Sequence, residues 1–360
     1  MKKLTVSVVL MLLLAMFSPT VYADCPQTSA KAMILIDATT GDVIASKNAD
    51  AKLPMASTTK IMSALLALEF TNDLDKQFTV DNDAIKVEGS SMGLKPDDKV
   101  TMRDLICGML LPSGNDAANA AAVRVSGSVE NFVALMNECA AEMGLDSTHF
   151  ITPSGLDDNT DDHYSTARDM AKLTRQALKN PDFQRICSSS SIKVKFGNPP
   201  YERWLTNSNK LLNSCKGVIG VKTGFTDKAR RCLVSACERN GGTLICVTLN
   251  DPDDWLDHSK LYEYGFKLLE KKTILPESQT FSINVAGGEK DTIKCITQPL
   301  TLNIPKNSAG KITSEIFIDH FLYAPVTENT VVGEVRYYCN GKYLCSRPIT
   351  AAESLNRQQL

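Results

Sequence analysis

The chain has 360 residues, with 39 Lys and Arg against 41 Asp and Glu and a formal net charge of −2. This nearly balanced charge supplies no basic surface for nucleic acid, so we do not expect nucleic-acid binding. About 335 residues remain after the N-terminal segment described next, a length that suits two domains better than one.

The N-terminus has the parts of a secretory signal peptide. Lys2 and Lys3 form a basic start, an apolar run follows over 6–17, and Val21 and Ala23 supply small residues at the −3 and −1 positions. The apolar run is too short to span a bilayer as a mature anchor. We therefore predict a signal peptide over 1–23 and an exported protein. Its removal takes away two lysines and no acid, which changes the net charge from −2 to −4.

Residues 24–272 are predicted to form one α/β domain in which an antiparallel sheet is combined with helices, because strand patterns lie at both ends of the segment. Strand patterns occupy 32–37, 43–46, 77–80, 218–222, 231–236 and 244–249. Helical patterns occupy 57–69, 102–111, 116–125, 129–143, 166–178 and 256–269.

Beyond a predicted linker at 274–277, the chain consists of short strand patterns separated by Gly and Asn turns. The patterns lie at 281–285, 292–296, 300–304, 316–321, 331–338 and 343–345. We therefore predict a small all-β domain over 276–350. The tail over 351–360 is polar and too short for an amphipathic membrane helix, so no C-terminal anchor is expected.

The eleven cysteines include no Cys-x-x-Cys pair and no Cys/His cluster with zinc spacing. Neither a metal site nor a cofactor is therefore expected. An odd number of cysteines in an exported protein leaves at least one thiol unpaired. The first candidates for disulfide bridges are Cys232 with Cys237 and Cys339 with Cys345.

Ser57 and Lys60 are spaced so that both side chains lie on one face at the start of a predicted helix. Ile61, Leu65 and Leu68 supply the apolar face of that helix. A helix N-terminus offers free N–H groups to a developing oxyanion. A lysine whose pKa is lowered by burial or by nearby cations can remove the proton of a serine hydroxyl. Ser-x-x-Lys is nevertheless common, and alone it fits a helix cap beside a surface lysine.

Two further segments could complete a serine–lysine site, since none of the four histidines lies beside Ser57 in the sequence. Ser113 and Asn115 flank a glycine at a helix–loop–helix corner. Lys222, Thr223 and Gly224 follow an apolar strand. Each segment alone fits an ordinary turn or strand end, but the three occur together in the order Ser-x-x-Lys, Ser-x-Asn, Lys-Thr-Gly.

With these motifs the chain resembles the exported D-alanyl-D-alanine carboxypeptidases, which are low-molecular-mass penicillin-binding proteins of the serine–lysine peptidase class. Further similar stretches are Thr152-Pro153-Ser154-Gly155-Leu156, the segment 163–169 and the segment 207–212. The resemblance implies a penicillin-binding/β-lactamase-like transpeptidase domain with an antiparallel sheet and a helical subdomain, followed by a small all-β domain. Many relatives end in an amphipathic anchoring helix, which this tail lacks.

The resemblance also implies roles for individual residues. Ser57 would attack the carbonyl of the penultimate D-alanine, Lys60 would accept its proton, and Ser113 would relay protons. The substrate-binding residues would be Asn115, Lys222, Thr223, Gly224 and Phe225. Among these, Thr223 and Lys222 would receive the terminal carboxylate, and the backbone N–H groups of Ser57 and Phe225 would form the oxyanion hole.

The implied partners are a peptidoglycan stem peptide that ends in D-Ala-D-Ala and β-lactam antibiotics, which would acylate Ser57. The implied location is outside the cytoplasm, at the cell wall or membrane surface, and peripheral membrane association stays open. Three alternatives remain at this point. They are a β-lactamase, a penicillin-acylated sensor or scaffold without peptide turnover, and a non-catalytic wall-binding module.

Overall fold

The computed structural model describes residues 25–157, 160–306, 308 and 312–358. The predicted signal peptide therefore lies outside the described residues. The strands of the N-terminal part are β1 (Ala32–Asp37), β2 (Val43–Lys47), β3 (Phe78–Thr79), β4 (Lys99–Val100), β5 (Ser191–Gly197), β6 (Pro200–Thr206), β7 (Val218–Thr226), β8 (Arg230–Arg239) and β9 (Gly242–Leu249).

Five of these strands form an antiparallel sheet in the order β2-β1-β9-β8-β7. Strands β1 and β9 are buried along almost their whole length, because both faces of the sheet are covered. Strand β7 lies at an edge, so one side of its backbone has no strand partner in the sheet. The predicted combination of an antiparallel sheet with helices is confirmed.

The helices lie between β2 and β7 and after β9. They are α1 (Lys60–Glu69), α2 (Met102–Leu110), α3 (Asn115–Ser126), α4 (Val129–Glu142), α5 (Ala167–Ala177), α6 (Pro181–Cys187), α7 (Leu211–Ser214) and α8 (Asp254–Lys267). Helix α1 is buried over residues 60–68, and its surroundings include α2, α3 and α5. None of the helices in the described part of the chain is long and apolar enough to cross a membrane.

The segment between α5 and β7 was not assigned from the sequence, yet it contains α6, the β5–β6 hairpin and α7. The start of α6 carries a readable signal, since Pro181 is its first residue and the Asn180 side chain accepts hydrogen bonds from the N–H groups of Asp182 and Phe183. In the hairpin, exposed residues alternate with buried or half-buried ones over only part of each strand. The sequence alone therefore gives only a weak strand pattern here.

The C-terminal part is all-β, as predicted. Its strands are β10 (Leu269–Leu275), β11 (Gln279–Ala286), β12 (Thr292–Thr297), β13 (Leu300–Pro305), β14 (Ile312–Ile318), β15 (Phe321–Tyr323), β16 (Val331–Cys339) and β17 (Lys342–Ala351). Six of them form a sheet in the order β14-β16-β17-β12-β11-β15, and β10 pairs with β13. Strand β10 includes the first two residues of the predicted linker, and Leu355 of the predicted tail is buried. The domain limits stay predictions.

All eleven cysteines are free thiols, so both suggested disulfide pairs are wrong. Cys232 and Cys237 are five residues apart on β8, and an odd separation on a strand directs two side chains to opposite faces. They accordingly belong to different hydrophobic clusters. Cys339 and Cys345 lie on paired strands but not opposite each other, because Cys339 faces Lys342 and Cys345 faces Tyr337.

Candidate active site

Ser57 lies in a 3₁₀ turn over Ala56–Thr59, which precedes α1, so the predicted α-helical start at Ser57 is three residues early. The Thr58 and Thr59 hydroxyls donate to the carbonyl oxygens of Met55 and Ala56 at 2.6 and 2.8 Å. These bonds stabilise the tight turn. Residues three apart eclipse one another in 3₁₀ geometry, which brings the Ser57 and Lys60 side chains together.

The Lys60 ammonium nitrogen is held by three oxygen atoms. Nζ lies 2.9 Å from Ser57 Oγ, 2.7 Å from Asn115 Oδ1 and 2.6 Å from the Ser154 carbonyl oxygen. Burial lowers the pKa of Lys60 well below its ordinary range, and the nearby cation Lys222 lowers it further. The lowered pKa favours the neutral amine, which is the form that a general base requires.

The connection between α2 and α3 brings Ser113 and Asn115 to the same place. Ser113 has a φ of +67°, a conformation that is uncommon outside glycine and that is often found at functional sites. Asn115 is fixed from both ends of its amide, since Oδ1 accepts from Lys60 and Nδ2 donates to the Glu88 carbonyl at 2.7 Å. Its side chain thus orients the lysine.

Lys222 and Thr223 lie on the edge strand β7. Lys222 is 1% exposed, and desolvation lowers its pKa to about 7. Its Nζ donates to the Thr223 carbonyl oxygen at 2.9 Å. The Thr223 hydroxyl lies 2.8 Å from the Ser208 hydroxyl at the surface of the cleft.

Two glycines allow other backbone segments to approach the turn that carries Ser57. A Cβ on Gly224 would lie 3.2 Å from the Ser57 nitrogen and 3.0 Å from the Met55 carbonyl oxygen. A Cβ on Gly155, whose φ is +87°, would lie only 2.0 Å from the Ala56 carbonyl oxygen. Side chains at these positions would push β7 and the 152–156 loop away from Ser57.

These elements enclose a cleft of about 360 Å³. Five of the predicted site residues line it: Ser57, Ser113, Thr223, Gly224 and Phe225. The other three, Lys60, Asn115 and Lys222, are almost fully buried. All eight predicted site residues therefore belong to one region of the fold.

Several polar groups that support this region were not predicted from the sequence. The Asp116 carboxylate accepts from the backbone N–H groups of Met92, Gly93 and Leu94 at 2.9–3.0 Å, which fixes the loop in front of Asn115. The Ser154 carbonyl oxygen accepts a hydrogen bond from Lys60, although Ser154 was named in the sequence only as part of a stretch that is similar to the family. The only sign of this role in the sequence was the position of Asp116 directly after Asn115.

His163 serves the packing of the turn and does not contact Ser57. Its Nε2 lies 2.8 Å from Thr59 Oγ1, and its Nδ1 accepts from the Ile151 N–H at 3.0 Å. Burial lowers its pKa to about 3, so the ring is neutral. In the described part of the chain, no group of three or more His, Cys, Asp and Glu side chains is arranged to hold a metal ion.

Comparisons with known proteins place these observations in a family. A family model described as D-alanyl-D-alanine carboxypeptidase matches residues 19–253. A second model, for the C-terminal domain of penicillin-binding protein 5, matches residues 269–357. The two matches agree with the division into a mixed N-terminal part and an all-β C-terminal part.

Individual relatives match over nearly the whole chain. The D-alanyl-D-alanine carboxypeptidase DacC of Escherichia coli is 34% identical over 365 residues, which cover 95% of this chain and 89% of that protein. DacF of Bacillus subtilis is 29% identical over 374 residues, covering 99% and 95%. The crystal structure of penicillin binding protein 5 from Haemophilus influenzae has a TM-score of 0.65 at 28% identity, covering 93% of this chain and 100% of that one.

Proposed function

The chain belongs to the family of D-alanyl-D-alanine carboxypeptidases, and within that family we propose that Ser57 is the acylated nucleophile and Lys60 its general base. The protein is a serine-type hydrolase of the penicillin-binding class. The observation that carries the residue assignment is the 2.9 Å contact between Lys60 Nζ and Ser57 Oγ, made by a lysine whose pKa is lowered by burial.

Acylation begins when Lys60 removes the hydroxyl proton of Ser57 and the oxygen attacks the carbonyl carbon of the penultimate D-alanine. The negative charge that develops on the carbonyl oxygen is received by the N–H groups of Ser57 and Phe225. The C–N bond then breaks, and the leaving amine of the terminal D-alanine takes the proton held by Lys60, relayed through Ser113. Water attacks the ester in the second half-reaction, and Ser57 regains its proton.

The substrate is proposed to bind as an extended peptide along the free edge of β7, which offers unpaired backbone groups beside the cleft. Asn115 and Gly224 lie beside Ser57. Thr223 and Lys222 lie where the terminal carboxylate of the substrate would be placed. A stem peptide that ends in D-Ala-D-Ala is the proposed partner. β-Lactam antibiotics are proposed to acylate Ser57 and to block turnover.

The family acts on cell-wall peptidoglycan, which indicates action outside the cytoplasm. We propose export by the signal peptide over 1–23, a catalytic domain over 24–272, a β domain over 276–350 and a tail over 351–360. Mass spectrometry of the protein secreted by a bacterial host tests the cleavage site, since removal of the signal would leave Asp24 as the first residue.

The assignment is tested with the purified protein from residue 24 onward and a pentapeptide ending in D-Ala-D-Ala. We expect release of D-alanine that benzylpenicillin blocks and that Ser57→Ala abolishes. A stable penicillin adduct on Ser57 without D-alanine release would favour the sensor, and rapid penicillin hydrolysis would favour the β-lactamase. Peptidoglycan binding without any acylation would favour the wall-binding module.

A further inference from the structure

Cys215 and Cys237 contact each other in the fold, a pair that was not suggested from the sequence. Cys215 directly follows helix α7, and Cys237 lies on β8 opposite Val218 at the start of β7. The two thiols are hydrogen-bonded to each other. Both side chains belong to the hydrophobic cluster that packs between the sheet and helix α8. Two sulfur atoms are therefore held together by parts of the chain that are distant from the cleft motifs.

The backbone between Cys215 and β7 passes directly over Cys237. The Glu238 N–H donates to the Gly217 carbonyl oxygen at 2.7 Å, and Cys237 Sγ lies 3.5 Å from the Lys216 carbonyl oxygen. A Cβ on Gly217, whose φ is +88°, would lie 2.4 Å from the Glu238 carbonyl oxygen and 3.3 Å from Cys237 Sγ. Glycine at this position therefore allows the close approach that keeps the two thiols together.

Arg239 lies beside Cys215 and favours its thiolate. Its Nη2 donates to Cys215 Sγ at 3.5 Å, and its Nε donates to the Lys216 carbonyl oxygen at 2.9 Å. An ion pair with Glu263 of helix α8 also holds the guanidinium. The hydrogen bond with Cys237 and the charge of Arg239 lower the pKa of Cys215 below its ordinary value, although burial opposes them. Since a thiolate is the form that attacks a disulfide, Cys215 is the nucleophile of the pair.

The two thiols differ in their access to solvent. Cys215 is 9% exposed, whereas Cys237 is completely buried. The contact with Cys215 and the burial both raise the pKa of Cys237, so its thiol stays protonated until its neighbour reacts. A reagent from the solvent therefore meets Cys215 first, and Cys237 follows from inside the fold.

We propose that Cys215, activated by Arg239, and Cys237 form a redox-responsive pair that a low-molecular-mass disulfide converts into an intramolecular disulfide bridge. The Cys215 thiolate attacks one sulfur of the reagent R–S–S–R, so that a mixed disulfide forms and one thiolate RS⁻ leaves. Cys237 then loses its proton to solvent and attacks Cys215 Sγ, which expels the second RS⁻. The pair is oxidised by two electrons, and the reagent is reduced to two thiols.

The bridge links the segment before β7 to the neighbouring strand β8. Strand β7 is an edge strand, and its residues Thr223 and Gly224 line the cleft. A cross-link at its start constrains the unfolded chain and so stabilises the strand that forms one wall of the cleft. Both thiols are free in the structure, so a reductant alone has nothing to reduce and the bridge forms only after oxidation.

The test treats the purified protein with dithiodipyridine, a small neutral disulfide, and then blocks all remaining thiols in denaturant before digestion. Trypsin cleaves after Lys and Arg, so Cys215 lies in the peptide 211–216 and Cys237 in the peptide 232–239. We expect mass spectrometry to find these two peptides linked. The melting temperature of the oxidised protein should exceed that of Cys215→Ser treated in the same way by roughly 5–10 °C, and dithiothreitol should remove the difference.

Cys232 offers a matched control, because it lies in the same tryptic peptide and on the same strand as Cys237 but belongs to the other hydrophobic cluster. Cys232→Ala should keep the link to the peptide 211–216, and Cys237→Ala should abolish it. Cys215→Ser, at the less buried position, should abolish it as well and covers the case in which Cys237→Ala does not fold. A link that persists in either variant would overturn the proposal, and so would unlinked peptides in a wild-type protein whose half-buried Cys25 has reacted.

The role of Arg239 is tested by the rate at which the linked peptides appear. Arg239→Gln should slow this reaction roughly five- to ten-fold at neutral pH, because the Cys215 thiolate loses the cation that stabilises it. Arg230→Gln removes the same charge from an exposed position at the other end of β8 and should leave the rate unchanged. An equal rate in Arg239→Gln and wild type would overturn the activation of Cys215 by Arg239.

Discussion

Two serines in the N-terminal domain each contact a nitrogen base, but only one of them lines the cleft. Ser57 Oγ lies 2.9 Å from Lys60 Nζ and faces the cleft. Ser235 Oγ lies 2.6 Å from His258 Nδ1, and both residues are completely buried. The hydroxyl of Tyr262 also lies 2.5 Å from Ser235 Oγ.

Contact with a nitrogen base is therefore not enough to make a serine hydroxyl a nucleophile. Burial lowers the pKa of Lys60 well below its ordinary range and that of His258 to about 3, which favours the neutral form of both bases. Ser235 lies on β8, inside the sheet between β7 and β9, where no substrate can reach it. Ser57 lies on a turn beside the edge strand β7, so a carbonyl group can approach its hydroxyl.

The largest expected contrast comes from removing the two hydroxyls. Ser57→Ala should lower the rate of D-alanine release by roughly 10⁴-fold or more, because no other group can be acylated. Ser235→Ala should leave kcat/KM unchanged and destabilise the fold by about 1–3 kcal/mol, since His258 and Tyr262 each lose a buried partner. Steady-state kinetics and urea unfolding of both variants measure the contrast. A large activity loss in Ser235→Ala at full folding would refute it.

Lys60→Met separates catalysis from stability. Acylation by penicillin should fall by roughly 10³-fold or more, because the hydroxyl proton has no acceptor. The melting temperature at pH 7 should nevertheless rise by about 2–4 °C, because an apolar residue of similar volume replaces a buried amine. A lower melting temperature would show that the bonds of Lys60 to Asn115 and Ser154 outweigh its desolvation.

The gain in stability expected for Lys60→Met should depend on pH, because the pKa of Lys60 is lowered in the folded protein. Below the ordinary lysine pKa of about 10.4, the unfolded chain binds a proton that the folded protein binds less tightly, so wild-type stability rises with pH. The advantage of Lys60→Met should therefore shrink between pH 7 and pH 10. Acylation by the wild type should fall in acid, as Lys60 becomes protonated. Urea unfolding and penicillin labelling across this pH range test both statements.

A smaller effect is expected from His258 in acid. Its pKa is about 3 when folded, against about 6.5 when unfolded. The unfolded state therefore binds one more proton between these values, and stability falls as pH drops through this range by about 1.4 kcal/mol per pH unit. His258→Asn should remove this share of the slope while lowering stability overall, and the share of His163, whose pKa is also lowered to about 3, should remain. His320→Asn, at an exposed position, should leave the whole slope unchanged.

The smallest effect is expected from reductant. All eleven thiols are free, including Cys232 and Cys237, which flank Ser235 on β8. Addition of dithiothreitol should therefore leave the melting temperature unchanged within about 1 °C, because no cross-link constrains the unfolded chain. A drop of several degrees would show that at least one pair of cysteines forms a disulfide bridge.

The sequence was most informative where function restricts the residue type. Ser57, Lys60, Ser113 and Lys222 stand in three short motifs whose order along the chain indicated a serine–lysine site before any fold was available. Asp116 was missed, because an acidic residue in the first turn of a helix is common. Only its hydrogen bonds to the N–H groups of Met92, Gly93 and Leu94 distinguish it.

By itself, the sequence determined the two-part organisation, most helices and strands, and the candidates for the reacting groups, because periodicity and short motifs are local properties. The tertiary structure decided which groups meet. Asn115 and the Ser154 carbonyl contact Lys60 across 55 and 94 residues of chain. The lowered pKa of Lys60, the burial of His258 and the free state of the thiols depend on neighbours that are distant in sequence, so only the packed fold determines them.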